Sequence, residues 1–242
     1  MGLRGDMAIE LARGSTKVEL LADQTVSNPH MSEPAFVWTG SELTIGEVSD
    51  IRLFGIEQLF EVVLDDNSTV QVSASSKFMM KSGDRKMAPE LAPSDALLPL
   101  YIEEDNYGYP TYRIPGRAAK HKIYRLMAKW KLGSPLGSGT VVEHIDGNRK
   151  NYHPDNLKIS INKRSRKRST KNRLVKPFKD AQKFLDECAA ASPLMAKIVH
   201  KGRRTNHKVV RVTPGPMGEV YTASVRSGDS VSVSGVFLEL PA

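Results

Sequence analysis

Glu143-His144-Ile145-Asp146-Gly147-Asn148 sets a carboxylate beside an imidazole just ahead of an Asp-Gly-Asn run, with Asn151, His153, Asp155 and Asn156 close behind. A neutral imidazole near pH 7 can take a proton from water. A carboxylate is an oxygen donor suited to Mg²⁺ or Mn²⁺. These residue types therefore permit proton abstraction beside a bound cation. Asp146 and Asn148 fit turn-forming roles better than ligation, and His153 reads as an ordinary loop residue.

The elements that must position these groups are legible around them. Thr140-Val141-Val142 is a β-branched strand that delivers Glu143 and His144. Asp146-Gly147-Asn148 makes a tight turn, in which Gly supplies a positive φ and the Asx side chains bond the backbone. Leu157 to Ser160 is a second short strand, and a helix is expected to begin near Asn162. Upstream, Ala118 to Trp130 places Ile123, Leu126, Met127 and Trp130 at helical spacing, with Lys120, Lys122, Arg125 and Lys129 on the other faces. Gly133-Ser134-Pro135 ends that helix.

Charge is concentrated in the same region. Arg113 to Lys176 holds 18 Lys and Arg against three acidic residues, whereas the rest of the 242-residue chain holds 17 against 24. The overall charge of +8 thus conceals a strongly basic middle third. Such a block points to a polyanion partner, the plain alternative being a solvated Lys-rich surface.

The run from Glu143 through Asn156-Leu157 resembles the HNH nuclease family, in particular its phage homing-endonuclease branch. The resemblance implies a ββα-metal fold and metal-dependent hydrolysis of phosphodiester bonds in double-stranded DNA. His144 would be the general base, Asn156 would hold the loop and orient His144, and Glu143 would ligate one Mg²⁺ or Mn²⁺. The third position of the family pattern falls on Ser165, with Asn162 or His153 as substitutes. Arg113, Arg117, Lys120, Lys122, Arg125, Arg149, Lys150, Lys163, Arg164, Arg166, Lys167 and Arg168 would contact DNA phosphates, which position a duplex without reading its sequence. Tyr109, Tyr112 and Tyr124 interleave with that charge and read as packing.

Both flanks read as β. Lys17-Val18-Glu19-Leu20-Leu21, Ala35-Phe36-Val37-Trp38 and Leu59 to Leu64 are short apolar runs, and Asp65-Asp66-Asn67-Ser68 turns the last into Thr69-Val70-Gln71-Val72 as a hairpin. A helix over Phe178 to Ala191 precedes a second β stretch. There Lys208 to Val212 and Glu219 to Thr222 are separated by a Pro214-Gly215-Pro216 turn. Ser230 to Ser234 and Val236 to Leu238 close the chain.

These flanks resemble the Hint fold of inteins, in Gly14 to Asp23, Val72 to Met79, and Glu219 through Leu238. The resemblance also marks what splicing would need. The first position, aligned with Leu11, should be a nucleophilic Cys or Ser. Ser73 and Ser76 stand where Thr and His should polarise the scissile peptide. Glu239 and Leu240 stand where His-Asn should release the chain. The expectation is therefore a freestanding endonuclease on a scaffold that no longer splices.

The fold class expected is α+β: a mostly-β Hint-like domain over 1–102 and 207–242, split by an inserted ββα-metal nuclease domain over 103–176 and a helical connector over 177–206. Two other readings stay open: a DNA-binding protein with a decayed nuclease site, marked by Ser165, and a residual intein-like protein-processing element. The lone Cys188 excludes an internal disulfide and fits a reducing compartment. No apolar run approaches a membrane span and no signal peptide is apparent, so the location expected is the cytoplasm, that of the host cell if a phage encodes the chain. A homodimer is compatible with one site that cuts one strand at a time.

Overall fold

The computed structural model describes residues 2–113, 120–161 and 207–239. Those within 1–162 and 206–242 form one compact unit, and 163–205 lies outside the described residues. Arg117, Lys163, Arg164, Ser165, Arg166, Lys167, Arg168 and Leu240 lie outside them as well, as do the helices expected near Asn162 and over Phe178 to Ala191.

The first unit is mostly β. Strands β1 (Leu3–Arg4), β2 (Ala8–Leu11) and β3 (Gly14–Lys17) lead into helix α1 (Val18–Ser27). β4 (Ser32–Trp38), β5 (Leu43–Leu64), β6 (Thr69–Ser73), β7 (Lys77–Met79) and β8 (Arg85–Met87) follow. The run Lys17 to Leu21, expected as a strand, is a correction: only Lys17 is extended. Val18, Leu21 and Ala22 are buried at i, i+3 and i+4, the stripe of a helix rather than of a strand.

The expected hairpin is present. β5 pairs with β6 from Leu59↔Ser73 to Val63↔Thr69. Its turn is held by the Ser68 amide donating to Asp66 Oδ1 at 2.9 Å, with Asn67 at φ 64°.

The chain returns through β14 (Val209–Arg226), β15 (Ser230–Val233) and β16 (Val236–Glu239). β14 runs against β5 along most of its length. Pro214-Gly215-Pro216, expected as a turn, lies inside this strand. Proline donates no ladder hydrogen bond, and the register shifts between Pro214 and Met217 to accommodate the pair. Ser234 and Gly235, both at positive φ, make the tight turn between β15 and β16. The main sheet has the order β14-β1-β6-β5-β4-β2-β15-β16-β7-β8, with β3 on β2, and it closes on itself where β14 also pairs β5 and β4 also pairs β15.

Between these halves lie β9 (Tyr101–Glu104), β10 (Pro110–Arg113), β11 (Lys120–Lys122), α2 (Ile123–Leu132), β12 (Thr140–His144) and β13 (Leu157–Ile161). β9 to β11 form a three-stranded sheet, and β12 and β13 form a hairpin. Gly133, at φ 63°, caps α2 where the Gly-Ser-Pro stop was expected.

The expected α+β class, with an inserted ββα-metal domain, is corrected here. An inserted domain brings a core of its own. Instead Ile123, Leu126 and Met127 of α2 and Leu157 of β13 share one apolar cluster with Phe36, Trp38, Leu43, Met79 and Phe237 of the main sheet. Tyr152 packs edge-on to Phe36 with ring centroids 6.4 Å apart. The middle segment is thus built onto the β scaffold as part of one mostly-β fold.

Candidate functional site

Gly2 enters the main sheet just ahead of Leu3, which pairs with Val72 of β6 and Tyr221 of β14. That pairing lays the Gly2 backbone across the turn joining β6 and β7. The Gly2 amide donates to Ser73 Oγ at 2.8 Å. The Gly2 carbonyl accepts from the Ser73 amide at 2.8 Å and from the Ser76 hydroxyl at 3.1 Å. The two hydroxyls lie 3.3 Å apart, and both serines are fully buried. The turn itself is fixed by the Ser76 amide donating to the Ser73 carbonyl and the Ala88 amide to the Ser76 carbonyl. Each polar group of this buried cradle is therefore satisfied by another.

A side chain added at its centre would force its surroundings to shift. A Cβ on Gly2 would stand 2.4 Å from Val220 Cβ and 2.7 Å from Val220 Cγ2. Leu11, to which the sequence alignment gave the first position, is instead a core residue of β2, paired with Gly14 and Ala35. It is Gly2 that the fold brings to Ser73 and Ser76. Glu239 pairs with Lys77, one residue beyond Ser76, and its carboxylate lies 3.3 Å from Arg85 Nε and 3.7 Å from Lys77 Nζ.

This arrangement holds a peptide whose own residue, Gly2, offers no side-chain nucleophile. Among the described residues, neither hydroxyl is bonded to an imidazole. Ser76 donates to the Gly2–Leu3 carbonyl, whereas Ser73 accepts from the peptide nitrogen before it.

The second constellation is the β12–β13 hairpin. Register pairs His144 with Leu157 and Glu143 with Lys158. Adjacent strand residues face opposite sides, so Glu143 projects to solvent while His144 turns towards Tyr109 and Tyr124, at ring-centroid distances of 5.9 and 5.2 Å. The Nε2 atom of His144 is buried without a hydrogen-bond partner. Burial, seconded by the Arg149 charge, lowers the His144 pKa from the ordinary histidine value, against the opposing pull of Asp146.

Asn156 occupies the centre of the loop. Its side-chain oxygen accepts from the Asp146 amide at 3.1 Å, and its nitrogen donates to Asp146 Oδ1 and to the Asn151 carbonyl, both at 2.8 Å. Asn151 donates to Asp146 Oδ2 at 2.7 Å. Hydrogen bonds from Asn156 first, then from Asn151, hold the Asp146 carboxyl below the usual aspartate range. Asp146 and Asn148 each accept a local amide, the Asx geometry expected of the turn. His153 Nδ1 accepts from the Asp155 amide and so caps a short 3₁₀ turn. Among the described residues, no group of three or more His, Cys, Asp or Glu side chains is placed to hold a metal ion.

Five of the six described residues expected to contact phosphate have partners within the chain. Arg113 and Lys120 both reach Glu103, at 3.7 and 2.9 Å. Lys122 pairs with Asp105 at 3.1 Å and lies 3.8 Å over the Tyr109 ring. Lys150 pairs with Glu104 at 2.6 Å, and Arg149 donates to the Tyr107 carbonyl. Arg125 forms no ion pair with a described residue. Sequence reasoning missed these acids because the basic window opens at Arg113, just past Glu103-Glu104-Asp105. The signal was available: those acids flank the Asp105-Asn106-Tyr107-Gly108 turn, which folds them back onto the strand ending at Arg113.

No protein-family model matches the sequence, and no curated protein matches it. Solved structures do. A variant of the Ssp DnaB mini-intein aligns over 99% of this chain and 92% of its own at a TM-score of 0.52 and 10% identity. A point mutant of that variant aligns over 100% and 99%, at 0.50 and 10% identity. A DnaB intein from Synechocystis sp. PCC 6803 aligns over 100% and 99%, at 0.49 and 10% identity. The fold is that of the mini-inteins.

A Hint-like fold matched over 99–100% of the chain overturns the expected HNH endonuclease, for the described residues of the segment read as a nuclease domain pack into the core of that fold. The intein-like part of the sequence reading stands. No helix among the described residues is long and apolar enough to cross a membrane.

Proposed function

We propose that the chain is a residual intein-like element, a Hint scaffold that retains the peptide cradle of protein splicing and has lost the chemistry. One observation carries this reading: the residue held by Ser73 and Ser76 is Gly2, which has no nucleophile, and Val220 fills the space a side chain would need. Transfer of an acyl group onto the chain requires a hydroxyl or thiol on the residue after the scissile bond. Replacing the expected imidazole by Ser76 also removes a proton carrier that works near neutral pH. The cradle then acts in structure alone, tying the first strand to the β6–β7 turn.

The test is a fusion carrying a reporter domain at each end, incubated with and without thiol and followed by intact mass. The chain is expected to stay whole under both conditions. Release of either reporter at Gly2 or near Glu239, or their ligation, overturns the reading.

A further inference from the structure

A cavity of 430 Å³ opens between α2, the β10–β11 pair and the segment after Gly133. It is separate from the Gly2 cradle. Its floor is apolar, from Leu43, Leu126 and Leu136. One wall is aromatic: His121 stacks on Tyr112 with centroids 5.3 Å apart and planes 27° from parallel. His121 Nε2 is buried and has no hydrogen-bond partner. Buried polar atoms are ordinarily satisfied, so this nitrogen is one partner short.

The charge around it is mainly positive. Arg125 and Lys129, one helical turn apart on α2, line the cavity together with Lys122. Glu42 is the one carboxylate in the lining, and Lys129 engages it at 3.6 Å. Lys122 is shared with Asp105, which leaves the exposed Arg125 guanidinium unpaired among the described residues. Arg is the side chain best matched to a planar or tetrahedral oxyanion. The volume lies in the range of small-molecule sites, which combine an apolar body with a few convergent polar groups.

We infer that this cavity binds a small organic anion, a phosphate or carboxylate on a planar apolar body. The oxyanion sits against Arg125 and Lys122. The planar body lies on Leu126 and Leu136 beside the Tyr112–His121 wall. The inference goes beyond the proposed function and does not depend on it.

Calorimetric titration of the full chain with phenyl phosphate tests this, with inorganic phosphate and phenol as half-ligands. Phenyl phosphate is expected to saturate at one per chain, and each half-ligand to bind at least about 10-fold more weakly. Arg125→Gln, a surface change that leaves the core intact, is expected to weaken phenyl phosphate by about 10-fold, and His121→Ala, which removes the ring stacked on Tyr112, by a similar factor. His121 ring resonances should shift on titration in the unaltered chain. Three results overturn the inference. The first is no saturable uptake at about 10 mM. The second is uptake indifferent to both substitutions. The third is a short DNA duplex that displaces phenyl phosphate and depends equally on Arg125, which would make the cavity a contact for a polymer backbone.

Discussion

At Gly2, the peptide is gripped from both sides by two buried hydroxyls while a valine occupies the place of the missing side chain. Gly2→Ala should therefore destabilise the fold by about 1–3 kcal/mol, the usual penalty for overpacking a close-packed site. Combining it with Val220→Gly, which removes the Cβ that would stand 2.4 Å away as well as both methyls, should recover part of that loss, with a coupling of about 1 kcal/mol in urea unfolding. Strict additivity of the two changes would mean that the close approach is not what forbids a side chain.

His144 gives a second test at this scale. Its folded-state pKa lies below the unfolded value, chiefly through burial, so the unfolded chain binds the proton more readily. The stability it contributes is complete above the ordinary histidine value of about 6.5 and is lost as pH falls from there through the lowered folded value. Denaturation midpoints compared between about pH 7.5 and about pH 5.5 should fall on acidification, and His144→Gln should flatten the dependence. Asp146, also lowered, contributes in a separate window, lost only as pH drops below about 4. The two groups can thus be told apart on one pH axis.

Among elements, α2 and the β12–β13 hairpin decide whether the middle of the chain is an appendage or part of the scaffold. Met127 is fully buried in the cluster that also holds Phe36 and Phe237. Met127→Ala should cost about 2–5 kcal/mol and lower one common unfolding transition. Hydrogen exchange should show the β12–β13 and β4–β5 amides opening together. Selective loss of hairpin protection, with β4–β5 unchanged, would mean that the shared cluster does not couple them.

The β9–β10 turn carries the other element-scale test. Glu103, Glu104 and Asp105 engage Arg113, Lys120, Lys122 and Lys150. Neutralising the three acids together should strengthen binding to duplex DNA or heparin and steepen its salt dependence, because phosphates would then replace the internal partners. Exposed ion pairs contribute about 0–1 kcal/mol each, so thermal stability should change little. Unchanged retention on heparin would mean that these acids do not mask the basic surface.

For the whole molecule, the β flanks could be read from alternation and turn chemistry because those signals are local. Asp65 to Ser68, the caps at Gly133 and the Asp146 loop all follow from the φ preferences and side-chain hydrogen bonding of a few adjacent residues. Two things were not legible. The length of β5 and β14 depends on pairing between segments about 160 positions apart, and neither strand alone carries that register. The residue facing Ser73 and Ser76 is likewise set by closure of the sheet, which brings the start of the chain to the β6–β7 turn. Alignment of weak apolar runs therefore placed the first position at Leu11 and missed Gly2. The hairpin motif misled for a related reason. Its local hydrogen bonding is as the motif demands, but Leu157 and Tyr152 pack into the main core, and a string of residue types carries no record of what lies beneath it.

The fit of Val220 over Gly2 has a consequence for how such a chain can change. On the proposed reading, a nucleophile regained at position 2 alone meets the Val220 Cβ well inside contact distance, and trimming Val220 to glycine alone opens a hole at a fully buried position. Each single step is harmful, and only the pair together reopens the site. If the proposed reading holds, the packing behaves as a ratchet, making inactivity a state that point mutation enters more easily than it leaves.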